Sequence, residues 1–212
     1  NRGQTYVVAV SPDDSEQNKA GLIGTLVSSD KPIVVNSGSA NGSFSNGGGR
    51  DYGIDQIVEL SKVGKEYIFV KGDGDNSFEN VLVVAHEDNT EVSVNGTAVA
   101  TINAGYYYIA EGNFYTDDNM YVNTSKDVFV YQGIGGTSSE ANQGMFFVPP
   151  LSCGSRGDVD NIPLIDRIGD REFDGGITIV TRDGAEVLIN NLSISNQPAG
   201  IDVDGPTTVE GK

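Results

Sequence analysis

Cysteine occurs once in these 212 residues, histidine once and tryptophan not at all. Cys153 therefore has no partner for an intrachain disulfide and reads as a small buried hydrophobe, pairing with a cysteine outside this sequence being left open. One His and one Cys cannot assemble a zinc site of the His/Cys kind. Basic residues are also scarce, 13 against 30 acidic, giving a net charge of −17 and a pI near 4.1. That field repels phosphate backbones and anionic headgroups, so nucleic acid is excluded as a partner. It suits a soluble extracellular protein or one that binds divalent cations. No apolar run reaches the roughly 18 residues of a membrane span, which excludes helical membrane insertion. No basic stretch followed by an apolar one opens the chain, so any secretion signal is expected outside it. Gly-x-Ser-x-Gly elbows and phosphate-cradling loops before helices are missing too, and nucleophilic catalysis lacks its parts.

What is present is a long internal echo. Lys31-Pro32-Ile33-Val34-Val35 falls on Lys126-Asp127-Val128-Phe129-Val130 (126 − 31 = 95), and Phe78 falls on Phe173. Asp88-Asn89-Thr90-Glu91-Val92-Ser93-Val94-Asn95 falls on Asp183-Gly184-Ala185-Glu186-Val187-Leu188-Ile189-Asn190 at the same shift (183 − 88 = 95). A period of 95 exceeds the roughly 20–50 residues of solenoids and propeller blades and matches a small domain.

Val, Ile, Tyr, Phe and Thr dominate the ordered stretches, 28 glycines punctuate them, and no segment sustains a helical period. Residues 81–85 read as a buried strand. Glu91-Val92-Ser93-Val94 alternates, Asn95-Gly96 signals a hairpin, and residues 98–102 return. Further strands are expected at 5–10, 56–60, 66–71, 106–109, 145–148, 177–180 and 186–190. Hairpins are expected over 22–36 and 120–132, and residues 37–49 as a long exposed loop. The expected fold is all-β: two tandem antiparallel β-sandwich modules, 1–103 and 104–212, related by the repeat, with a barrel or a pseudo-symmetric ring of shared sheets as the alternative.

Candidate chemistry is sparse. Asp73, Asp75 and Glu79 put hard oxygens on one loop, a candidate calcium site outside the EF-hand pattern, since Phe78 and Val84 stand where that pattern needs glycine and glutamate. Asp117-Asp118 and Asp202-Val203-Asp204 are further acidic turns. His86 falls on Thr181 one repeat later and reads as a solvated strand residue. Arg156-Gly157-Asp158 reads as a charged turn, although integrins recognise that tripeptide on exposed loops. Asn41, Asn95, Asn123 and Asn191 head glycosylation sequons. Tyr106, Tyr107, Tyr108, Tyr115, Tyr121 and Tyr131 could form a sugar-binding platform or simply pack, and the missing tryptophan favours packing.

Several segments together resemble the IgGFc-binding-protein N-terminal domain family. They are Ser29-Asp30-Lys31-Pro32-Ile33-Val34-Val35, Asp55-Gln56-Ile57-Val58, Gly64-Lys65-Glu66-Tyr67-Ile68, the run from Val83-Val84-Ala85-His86 through Val94-Asn95-Gly96, and Phe147-Val148-Pro149-Pro150-Leu151. The chain looks like the versions found in large secreted surface proteins of Bacteroidetes, many carrying gliding-motility or type IX secretion signals. The resemblance implies a repeated β module in an extracellular, cell-surface or secreted protein, with adhesion or gliding as its context. Together with the repeat, the acidic surface and the missing catalytic sets, the expected function is that of a non-enzymatic adhesin or stalk segment. Its expected partners are other modules of the same long protein and an extracellular polysaccharide or protein. The alternative is a lectin-like module using residues 37–50 and the tyrosines. A hydrolase would need carboxylates such as Asp117 and Asp118 facing a cleft.

Overall fold

A computed structural model describes residues 5–10, 21–42, 51–135, 144–152, 167–172, 178–181, 185–189 and 192–193. These contain no α-helix, only two single 3-10 turns at Leu60–Lys62 and Gly112–Phe114. The strands are β1 (Asn36–Gly42), β2 (Asp51–Gln56), β3 (Gly64–Val70), β4 (Val81–Ala85), β5 (Thr90–Val94), β6 (Thr97–Ile102), β7 (Tyr107–Ala110), β8 (Asn119–Ile134), β9 (Gly144–Phe147), β10 (Arg167–Ile168), β11 (Arg171–Glu172), β12 (Leu188–Ile189) and β13 (Leu192–Ser193). Every pairing is antiparallel.

The fold is organised by β8, whose 16 residues far exceed the usual five or six. Its first half pairs with β3 on one edge and β5 on the other; its second half pairs with β9 and β4. Adding β6 beside β5 and β7 beside β4 yields two layers, β6-β5-β8-β3 and β7-β4-β8-β9, which share β8. Contact between β6 and β7 nearly closes the sheet into a barrel.

The passage of β8 between layers has a local cause. Gly64 faces Val128 but Glu66 faces Asn123, so the pairing sum drops from 192 to 189 and β8 carries three extra residues. Such a bulge bends a strand sharply. The Thr124 hydroxyl lies 2.7 Å from the Lys126 carbonyl and 3.3 Å from that of Lys65, bridging the bend to β3. Tyr67 closes it from inside: its hydroxyl donates to the Val128 carbonyl at 2.6 Å and accepts the Gly64 N–H at 2.9 Å.

Alternation places Tyr67 and Phe69 of β3, Val92 and Val94 of β5, and Met120 and Val122 of β8 on the inner face of one layer. Val81 and Val83 of β4, Ala110 of β7, and Val128 and Val130 of β8 face them from the other, all fully buried. The Asn95-Gly96 turn forms as its sequence requires, with φ of 48° and 76°. Asn95 also pins that turn to β8, its Oδ1 accepting the Tyr121 N–H at 2.9 Å and its Nδ2 donating to the Phe114 carbonyl at 2.7 Å.

Several expectations change. The hairpin over 120–132 is one continuous bulged strand, because both of its edges are paired before and after the bulge and nothing turns the chain back. Residues 5–10, 22–27, 32–35, 57–60 and 178–180 carry no strand, and β1 lies largely within 37–49, the segment expected to be a loop. Most importantly, the two tandem sandwiches are not what the described residues form. One sheet takes β3 to β6 from before residue 103 and β7 to β9 from after it, since β8 finds its partners in the preceding half.

The repeat nonetheless has a structural counterpart. Val94 pairs with Thr97 and Ser93 with Ala98; Ile189 pairs with Leu192 and Leu188 with Ser193. All four positions move by 95 (189 − 94, 192 − 97, 188 − 93, 193 − 98). The Ile57 N–H donates to the Val35 carbonyl at 2.9 Å, and the Val148 N–H to the Val130 carbonyl at 3.2 Å. Here the shifts are 95 for the acceptors and 91 for the donors (130 − 35, 148 − 57), so the second hairpin is four residues shorter.

Phe69→Ala is expected to destabilise the chain by about 3–5 kcal/mol in urea unfolding. Tyr106→Ala, at a side chain 67% exposed, stays within about 0.5 kcal/mol of the parent. Equal effects of the two would contradict the assignment of the core.

Candidate functional site

The most concentrated polar chemistry in the described residues surrounds Glu79, which is fully buried. Its Oε2 accepts the Gly72 N–H at 2.5 Å, and its Oε1 accepts those of Gly74 at 2.7 Å and Gly135 at 3.1 Å. A buried carboxylate is tolerated when charge-assisted bonds of this kind replace its water. The glycines permit the approach: a Cβ on Gly74 would lie 2.1 Å from the Gly135 carbonyl oxygen, and one on Gly72 would lie 2.7 Å from Glu79 Oε1. Asn80 extends the anchor, its Oδ1 accepting the Gly112 N–H and its carbonyl the Gly133 N–H, both at 2.8 Å. The loop before β4 is thus tied to the end of β8 and to the turn after β7.

This bears directly on the calcium candidate. Amide N–H groups present the positive ends of their dipoles to Glu79 from the positions a cation would take, so its two oxygens serve the loop. Asp75 contributes its carbonyl, which accepts the Phe78 and Glu79 N–H groups at 2.9 and 3.1 Å. Among the described residues, no three His, Cys, Asp or Glu side chains converge as a metal centre, so Asp73, Asp75 and Glu79 are not brought together as one.

The tyrosines separate into two groups. Tyr131 is buried edge-on to Phe147, with ring centroids 6.0 Å apart, and burial, reinforced by the charge of Asp55, pushes its hydroxyl up to about 12. Burial likewise raises Tyr67, Tyr115 and Tyr121, seconded at Tyr115 by the charge of Glu79 and at Tyr121 by its hydrogen bond to Glu66. Tyr108 packs against the core. Of the six platform candidates, only Tyr106 and Tyr107 are exposed, the latter at 36%.

Asp117 and Asp118 occupy a two-residue turn closed by reciprocal Thr116 and Asn119 hydrogen bonds, with φ of 48° and 61°. Asp tolerates that left-handed backbone better than most side chains, so turn geometry accounts for the pair. With Val70, Asn119, Thr178, Ile179 and Val180 they border a depression of about 190 Å³. That is below the ~300 Å³ where small-molecule pockets begin. His86 stands edge-on to Phe129, with its Nε2 3.6 Å from a Glu87 oxygen. In the sequon at Asn123 the Ser125 hydroxyl accepts the Glu91 N–H at 2.9 Å, and the Asn95 amide is bonded at both ends. Cys153, the Arg156-Gly157-Asp158 tripeptide, Asp202, Asp204, Asn191 and residues 43–50 lie outside the described residues.

The two repeated hairpins meet. β2 lies beside β9, and the Phe147 N–H donates to Asp55 Oδ2 at 2.5 Å. Neither this link nor the role of Glu79 follows from local sequence, because each joins residues more than 50 positions apart. The one local signal was the Gly72-x-Gly74 spacing ahead of an acidic residue, a pattern that also suits an anion held by backbone amides.

With this architecture in place, the comparisons decide the family: residues 1–208 match the one described as IgGFc binding protein. The chain belongs to the IgGFc-binding protein family. No curated protein and no solved structure matches it. The segments that carry the resemblance fall on β3, β4, β5, the end of β9 and the bond between Val35 and Ile57.

Glu79→Gln places an amide NH2 among N–H donors and is expected to destabilise by about 2–3 kcal/mol, read from urea unfolding. Calcium titration of the parent leaves its Tm unchanged; a calcium-dependent rise abolished by Glu79→Gln would reverse the assignment of that carboxylate to the loop. Tyrosine chemistry gives a pH prediction. Unfolded tyrosines ionise near pH ~10, whereas Tyr131 holds its proton to about 12, so the unfolded chain binds fewer protons in that window. Stability from this group is intact below pH ~10 and falls as pH rises towards 12. Tyr131→Phe should flatten that fall in alkaline melting curves.

Proposed function

We propose that this IgGFc-binding family member is a non-enzymatic extracellular module, an adhesin or stalk segment of a larger surface protein that serves adhesion or gliding motility. The observation that carries this reading is the use made of the polar side chains. Glu79, Asn80, Asn95, Thr124 and Gln132 all bond to backbone groups and brace the barrel. Family membership supports an extracellular binding role, and the charge of −17 supports solubility outside the cell. Among the described residues no helix is long and apolar enough to cross a membrane. The partners in this reading are neighbouring modules of the parent protein and an extracellular protein or polysaccharide.

A lectin-like role is the second reading, favoured by the exposed Tyr106 and Tyr107 at the start of β7. The full chain, immobilised and presented with a glycan array, polysaccharides and immunoglobulin Fc, separates the two. For the adhesin or stalk, any ligand binding survives the double substitution Tyr106→Ala, Tyr107→Ala, and no polysaccharide, ester or peptide is turned over. Saturable glycan binding lost in a folded double variant would establish the lectin, and turnover at any substrate would displace both.

A further inference from the structure

The barrel is assembled from the second half of one repeat, β3 to β6, and the first half of the next, β7 to β9. Two complementary halves are left over. In the described residues one comprises 5–10, 22–42 and 51–56, the other 178–181, 185–189 and 192–193. Their counterparts in the barrel are buried: Val27 corresponds to Val122, Ile33 to Val128, Thr178 to Val83 and Val180 to Ala85, each at a shift of 95. In the leftover halves the same kinds of side chain are bare, with Val7 90%, Leu26 88% and Val34 73% exposed, and Ile179, Val180 and Leu188 exposed as well. Exposed apolar strand sequence of this extent calls for a covering surface.

Three observations identify that surface as the rest of the same chain. Both repeated hairpins keep the register of their barrel counterparts, so the leftover halves carry strand-pairing instructions matching those of the finished barrel. Each half is already anchored to that barrel. β2 lies along β9, and the Gly24 backbone touches Gly105 so closely that a Cβ would lie 2.0 Å from its carbonyl oxygen. Thr178, Ile179 and Val180 border the depression formed with Val70, Asp117, Asp118 and Asn119. Two tethered halves meet at an effective concentration that a separate molecule reaches only at around millimolar levels.

We propose that the leftover halves close on each other as a second barrel, in which 5–10 plays the part of β7, 22–35 that of β8, 178–180 that of β4, and 185–189 with 192–193 that of the β5–β6 hairpin. The register follows by arithmetic. Val83↔Val130, Val84↔Phe129 and Ala85↔Val128 become Thr178↔Val35, Ile179↔Val34 and Val180↔Ile33. Val94↔Val122 becomes Ile189↔Val27. The inference does not depend on which ligand the protein binds.

Two cysteine pairs test it in the full chain with Cys153→Ser: Val34→Cys with Ile179→Cys, and Val35→Cys with Thr178→Cys. Adjacent antiparallel pairs alternate between hydrogen-bonded and closer non-hydrogen-bonded geometry, so one of the two fits a disulfide. Mild oxidation is expected to give an intrachain crosslink, located by peptide mapping, at a yield independent of protein concentration. Hydrogen exchange on the unsubstituted chain should show amides 33–35 and 178–180 protected to the level of β4. Failure of both pairs to crosslink in folded protein, or crosslinks that form only between molecules and increase with concentration, overturns the proposal. Exchange of those amides at open-chain rates overturns it whether or not the cysteine variants fold.

Discussion

The whole barrel depends on β8 being paired along both edges while it bends. A strand that served one flat sheet would need only two neighbours, but β8 holds four, changing partners across its bulge. The bend does not disturb the core, because Val122 and Val128 are separated by an even number of residues and keep the same face. The inner side chains before and after the bulge therefore converge on one cluster. The Tyr67 hydroxyl sits where the layers part and satisfies backbone groups of the Gly64 and Val128 pair that would otherwise face the apolar interior.

The same constraint shapes the polar chemistry. A chain with a net charge of −17 has little to gain electrostatically from burying another carboxylate, yet Glu79 is fully enclosed. Its three amide donors come from two parts of the chain, Gly72 and Gly74 on one side and Gly135 on the other, so the carboxylate fastens the end of β8 to the loop that feeds β4. Gln132 repeats the device a few residues away, donating to the Val70 carbonyl at 2.7 Å. Side chains held this way brace the fold, since removing one leaves buried backbone groups without a partner.

Local signals in the sequence located what local physics decides. The Asn95-Gly96 turn, the buried Val81–Ala85 strand and the alternation of Glu91-Val92-Ser93-Val94 all stand as expected, because each is set by a few consecutive residues. The segment Thr124-Ser125-Lys126-Asp127 resembled a turn by composition and proved to be the bulge of β8. Composition cannot distinguish a reversal from a bend when the deciding bonds run to Lys65 and Gly64 on another strand. Glu79 was visible as an acidic residue on a glycine-rich loop, but the amides that define its role include Gly135, 56 positions away. The tyrosines divided as packing required and not as a platform, in keeping with the missing tryptophan.

The repeat itself carries the remaining lesson. A period of 95 locates equivalent positions but leaves the phase of the folding unit undetermined, and a cut at residue 103 followed the repeat as written. Strand pairing selects a different phase, half a repeat along, because β4 and β5 find their neighbours in β8 and not in the first-copy strand that corresponds to it. The hairpins show which property the two copies have kept. One differs by four residues in length between copies, yet its anchoring bond between Val35 and Ile57 reappears between Val130 and Val148, and the Leu188–Ile189 hairpin reproduces the pairing of Val94 with Thr97. Loop length is free to drift because closing a slightly longer loop costs only a few tenths of a kcal/mol. Register is not, since a slip of one residue would turn every inward valine to solvent. Two copies that retain register while their loops diverge retain the ability to pair with each other's halves, and the barrel across residue 103 is one product of that ability.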